Sequence, residues 1–132
     1  MSDTQAKTVS PREAAQWLSS GEAILIDVRE PREFTAEHIA GATSMPLASV
    51  PGQFGRMEIP AGRKVIFQCL RGGRSAQACR VAIAAAAPHP VYNLTGGIAA
   101  WKAAGLPVTR DAAASASGTS LWRRLMPWNR AS

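Results

Sequence analysis

Three observations predict an α/β fold, with helices packed on a mostly parallel sheet of about five strands. Strand-like and helix-like runs alternate along the chain. Residues 23–27 (Ala-Ile-Leu-Ile-Asp) form a short apolar run of the kind buried in the middle of a parallel sheet. Helix-like runs open on Ser-Pro or Gly-Gly and close on Gly or Pro, so element boundaries are marked on both sides.

Each element follows in order. Residues 7–9 are a short first strand. Ser10, Pro11 and Glu13 then read as a capping box that starts a helix ending near Ser19, before Gly21. Residues 23–27 are the second strand, and Pro31 opens a brief helix over 32–37. A third strand is expected at 42–45. A weak helix over 47–54 is interrupted by Pro51-Gly52. Residues 65–68 are the fourth strand, 75–87 the longest helix, stopped by Pro88, and 91–94 the fifth strand. Gly96-Gly97 turns into a last helix over 98–104, terminated by Gly105 and Pro107.

At 132 residues the chain is long enough for one domain with a real core. The net charge is +6, and half of it falls in residues 110–132, where Arg110, Arg123, Arg124 and Arg130 face Asp111. No nucleic-acid-binding motif and no basic-aromatic interleaving occur in the body, so no nucleic-acid partner is expected. Two cysteines, Cys69 and Cys79, make neither a disulfide framework nor a metal site. No metal or organic cofactor is expected. No apolar run has the length of a membrane span and the polar N-terminus is no signal peptide, so a reducing cytoplasm is the expected setting. The organisation expected is a domain over 1–110, a flexible low-complexity linker over 111–120 and a short basic tail over 121–132 carrying Trp122 and Trp128. The tail is expected to dock on the parent domain or to be partly disordered, and it is also a candidate contact for a membrane surface or a partner protein.

The segment Cys69-Leu70-Arg71-Gly72-Gly73-Arg74-Ser75 lies between a strand and a helix. There backbone N–H groups are free and the helix dipole is positive. The two glycines allow the loop to curl so that successive N–H groups face one point, an anion nest. Such surroundings lower a thiol pKa from about 8.5 to roughly 3.5–7.5. The segment therefore suits both a thiolate and an anionic substrate. Arg71 and Arg74 are candidates for binding the anion, with Arg74 also a candidate brace for the loop.

Three ordered stretches carry a family resemblance. The first runs from Leu25-Ile26-Asp27-Val28-Arg29-Glu30 through Glu33-Phe34 to His38-Ile39-Ala40-Gly41-Ala42. The second is the Cys69 loop. The third is Asn93-Leu94-Thr95-Gly96-Gly97-Ile98-Ala99-Ala100-Trp101. Together they resemble a single-domain rhodanese, of the sulfurtransferase family. The resemblance implies a three-layer α/β/α fold. It also implies that Cys69 accepts a sulfane sulfur as a persulfide and passes it to a nucleophile. The donor would be a small anion such as thiosulfate, or a persulfide; the acceptor would be a thiol or cyanide, with a thiol or persulfide carrier as the partner. Leu70, Arg71, Gly72, Gly73, Arg74 and Ser75 would form the substrate cradle.

Two other classes compete. Cysteine phosphatases and arsenate reductases use a related loop with five residues between cysteine and arginine, whereas four separate Cys69 from Arg74 and Gln68 stands in place of a histidine. A non-catalytic rhodanese-like binding module would be marked by loss of the cysteine, which is present. Asp27 and Arg29, at the C-terminal end of a strand, are supporting candidates: either they shape the pocket rim or they form a structural ion pair. His38 is expected to be a structural hydrogen-bonding histidine, Cys79 a buried small hydrophobe and Trp101 a core residue.

Overall fold

The computed structural model describes residues 7–84 and 89–110; the expected linker and tail lie outside them, as does the end of the longest helix. The elements are β1 (Lys7–Val9), α1 (Pro11–Ser20), β2 (Ala23–Asp27), α2 (Pro31–Ala36), β3 (His38–Ile39) and β4 (Thr43–Ser44). They continue with α3 (Val50–Gln53), β5 (Lys64–Gln68), α4 (Gly73–Ala84), β6 (Val91–Leu94), α5 (Gly97–Ala103) and β7 (Val108–Thr109). Among the described residues the main sheet has five strands in the order β1-β6-β5-β2-β4, and every pairing in it is parallel.

Side-chain alternation along the central strands builds two cores. Val65 and Phe67 of β5 point to one face, where they meet Val50, Phe54, Ala78 and Cys79 from the α3 and α4 side. Ile66 points to the other, against Ala14, Ala15, Ile98 and Trp101 of α1 and α5. Helices thus cover both faces, and the α/β/α layering follows. Trp101 is fully buried, and its indole N–H donates to the Pro107 carbonyl at 2.8 Å, the partner an indole needs inside a core.

Local chemistry accounts for most boundaries. Ser10 Oγ accepts from Glu13 N at 3.2 Å and Pro11 occupies the first turn of α1. The reciprocal arrangement occurs unexpectedly at α2, where Glu33 Oε1 accepts from Glu30 N at 2.9 Å. The expected weak helix over 47–54 is three short pieces: a 3₁₀ turn at Leu47–Ser49, α3, and a second 3₁₀ turn at Phe54–Arg56. The third strand shrinks to Thr43–Ser44. A second sheet pairs β3 with β7 in antiparallel register, His38 opposite Thr109 and Ile39 opposite Val108. Two-residue strands carry no periodicity, and this sheet was not expected.

The topology makes a crevice. From β2 the chain moves outward to β4; from β5 it moves the opposite way, to β6. The C-terminal ends of these two adjacent strands are therefore a switch point, where loops diverge and ligands bind in open α/β sheets. Asp27 ends β2 and Gln68 ends β5, and they are register partners. Cys69 is the next residue.

Candidate active site

Cys69 lies at the base of the crevice, 1 % exposed. Its Sγ accepts a hydrogen bond from Gly72 N at 3.0 Å and lies 3.4 Å from Ser75 Oγ. Burial alone raises a thiol pKa. The Ser75 hydroxyl and the backbone N–H groups of Ser75, Gly72 and Arg71 outweigh it, and the Cys69 thiol falls below its ordinary value.

The cradle faces inward because its carbonyls are engaged elsewhere. Cys69 O accepts from Ile98 N at 2.9 Å, and from Gln68 Nε2 at 3.0 Å. Leu70 O accepts from Ala99 N at 3.1 Å. Both backbone donors belong to the first turn of α5, whose unsatisfied N–H groups would otherwise need caps. Gly72 O accepts from Asn93 Nδ2 at 3.1 Å and from Ala76 N at 3.1 Å. With the oxygens turned out, the N–H groups of the loop turn toward sulfur.

The sequence alone assigns no role to Asn93; the structure makes it a second support of the loop. Besides holding Gly72 O, it accepts through Oδ1 from Ser75 Oγ at 2.6 Å. Ser75 has one proton to give. Asn93 Oδ1 at 2.6 Å, Gly72 O at 3.2 Å and Cys69 Sγ at 3.4 Å all lie within its reach, so a thiolate at Cys69 competes for it. The signal available in sequence was a polar residue in the strand Val91–Leu94, between Tyr92 and Leu94.

The two loop glycines are not equivalent. Gly72 has φ +116°, a region essentially reserved for glycine. Gly73 is already the first residue of α4, so that helix starts two residues earlier than expected and contains Arg74 and Ser75 in its first turn. A Cβ at Gly73 would meet nothing within 4 Å. Gly72→Ala is therefore expected to lower the melting temperature and slow Cys69 alkylation, at a strain of about 1–3 kcal/mol. Gly73→Ala is expected to be neutral or slightly stabilising, since alanine is the better helix former by about 1 kcal/mol. Thermal melts of the pair check this; equal losses would remove the distinction.

Arg74 does not stand free at the mouth. Its guanidinium forms a two-pronged pair with Glu33, Nη1–Oε1 at 2.8 Å and Nη2–Oε2 at 3.2 Å. Arg71 and Leu70 are the exposed side chains of the loop, Leu70 at 41 %. Asp27 and Arg29 form a buried ion pair, with Nε and Nη2 of Arg29 on the carboxylate at 2.8–3.2 Å and Nη2 also donating to Glu37 O at 2.7 Å. The pair ties the end of β2 to the end of α2 and supports the crevice wall. His38 is buried, bonded through Nδ1 to Phe34 O at 2.8 Å and stacked on the Phe34 ring. Cys79 is fully buried, and burial pushes its thiol up to about 12. No cluster of metal-ligating residues occurs among the described residues, and no helix among them is long and apolar enough to cross a membrane.

The family model of the rhodanese-like domain matches residues 10–104. The chain belongs to that family. It is 37% identical over 111 residues to the uncharacterized protein slr1261 of Synechocystis sp., an alignment covering 83% of this chain and 60% of the other. It is 37% identical over 87 residues to a sulfurtransferase of Allochromatium vinosum, covering 66% of this chain and 78% of that one. The crystal structure of the Alr3790 protein from Anabaena sp. superposes with a TM-score of 0.71 at 25% identity, covering 84% of this rhodanese-like chain and 99% of the other.

Proposed function

We propose that this rhodanese-like protein is a sulfurtransferase that carries sulfane sulfur as a persulfide on Cys69. The observation that carries the reading is the cradle itself: a thiol held below its ordinary pKa at the base of a switch-point crevice, with backbone donors converging on its sulfur. The name of the Allochromatium vinosum relative points the same way.

With thiosulfate, the Cys69 thiolate attacks the outer sulfur of S–SO₃²⁻. A Cys69 S–S bond forms, the sulfur–sulfur bond of the donor breaks, and its electron pair leaves with SO₃²⁻. The product Cys69–S–S⁻ keeps the single negative charge of the starting thiolate. An acceptor thiolate then attacks the terminal sulfur, forming R–S–S⁻ and returning Cys69–S⁻; cyanide in the same role gives thiocyanate. No proton is transferred in either step and no base is required once the thiolate exists. The N–H groups around Cys69 stabilise the charge wherever it sits along the sulfur pair.

Small thiols or thiol carriers as acceptors, and protein persulfides as donors, are consistent with the exposed Leu70 and Arg71 beside the loop. The 121–132 tail holds no cysteine, histidine or carboxylate side chain, so the chemistry is assigned to the domain over 1–110. Intact-protein mass spectrometry after incubation with thiosulfate, and separately with a thiol persulfide, tests the reading. Addition of one sulfur atom, removed by cyanide, is the expected result; an unmodified protein with both donors would reject it.

A further inference from the structure

The carboxylate that meets Arg74 is not a chance surface partner. Glu33 is held in place by its own helix start, where Oε1 also accepts from Glu30 N at 2.9 Å. It therefore faces the guanidinium ready-made, and both of its oxygens are engaged by Arg74. Arg74 keeps Glu33 below the usual carboxylate range, so the group is ionised at neutral pH. The planar fork of Arg74 is the feature that would bind two oxygens of a sulfonate, and Glu33 already fills it. Arg29 offers no substitute, because Asp27 and Glu37 O hold it and it is 4 % exposed.

We propose that Glu33 determines donor specificity: by occupying Arg74 it disfavours inorganic sulfur oxyanions and leaves the Cys69 loop to sulfane sulfur borne on an organic thiol. A thiosulfate dianion has to displace a bound carboxylate to reach Arg74. A thiol persulfide brings one charge, centred on sulfur, which the loop N–H groups receive without Arg74. The class of donor rests on the sulfur-transfer reading, but the anion filter can be measured without turnover.

Sulfate is an unreactive stand-in for thiosulfate, and occupancy is read as protection of Cys69 from iodoacetamide. In Glu33→Gln the sulfate concentration giving half-protection is expected to fall about tenfold relative to the wild type. In Glu33→Gln/Arg74→Gln that gain is expected to vanish. Glu33→Asp, which keeps the charge but shortens the reach, is expected to show a smaller gain and covers the case in which the glutamine variant does not fold. Sulfate protection that is unchanged or weaker in a folded Glu33 variant would overturn the proposal, as would a gain that survives loss of Arg74. The second arm is the ratio of kcat/KM for thiosulfate to that for a thiol persulfide. It is expected to rise about tenfold in Glu33→Gln, whereas a carboxylate that merely braces the loop would lower both values and leave the ratio fixed. Wild-type protein inert toward both donors would defeat the sulfur-transfer reading, while the sulfate result would still decide the role of Glu33.

Discussion

Gly97→Ala is expected to disable the active site although residue 97 touches no substrate. Gly97 has φ +63°, and a Cβ there would lie 2.4 Å from the carbonyl oxygens of both Cys69 and Leu70. Those atoms are backbone, so no side chain can swing away. These are the two oxygens that Ile98 N and Ala99 N hold, at 2.9 and 3.1 Å. To admit one methyl group, the start of α5 must back off the loop by about 1 Å, and both hydrogen bonds weaken together. Each is worth about 1 kcal/mol, and left-handed backbone in a non-glycine residue adds about 1–3 kcal/mol. Displacing a reacting group by 1 Å costs on the order of 100-fold in rate. The expected outcome is at least that loss in sulfur transfer, with a melting temperature lowered by several degrees. Gly96→Ala provides a contrast: its Cβ would meet the Ala100 side chain at 2.5 Å rather than a carbonyl of the loop. It is expected to cost stability more than turnover. Wild-type kinetics in a folded Gly97→Ala would show that α5 does not set the loop.

Local signals in this chain are legible from residue order, and contacts between distant segments are not. Strand β2 coincides with its expected limits, because an apolar run ending in Asp27 is a local signal. The Cys69 loop was legible for the same reason: cysteine, glycines and arginines sit within seven consecutive residues. What holds that loop is not local. Asn93 reaches Gly72 across 21 positions, and Glu33 reaches Arg74 across 41. Neither pairing leaves a periodicity or a composition bias. The arginines show the consequence. Residue type alone made Arg74 a candidate anion binder, and its partner makes it half of an ion pair. Gly73 shows the converse: two adjacent glycines suggested one shared role, but only Gly72 uses positive φ.

Cys69→Ser is expected to abolish the sulfur adduct and all transfer, while Cys79→Ser leaves both largely intact. The two thiols share a chain, a compartment and one apolar core cluster, so the contrast isolates their surroundings. Cys69 has Gly72 N and Ser75 Oγ on its sulfur, and its thiolate forms below the ordinary pH range for cysteine. Cys79 has burial without such donors, and its thiol persists to about pH 12. The nucleophile in sulfur exchange is the thiolate, so the sign is fixed. As pH rises through the lowered Cys69 value, alkylation and sulfur uptake at Cys69 rise and then level off, while Cys79 stays unreactive across the neutral range. Serine at 69 preserves size and a weak hydrogen-bonding atom, but an alcohol of pKa far above 8.5 supplies no comparable anion, so the loss is expected to be complete rather than partial. Iodoacetamide labelling followed by peptide mapping across pH 5–9 reads both thiols in one experiment. Equal labelling of Cys79 in folded protein, or a sulfur adduct that persists in Cys69→Ser and disappears in Cys79→Ser, would move the nucleophile to the helix and dismantle the single-cysteine mechanism.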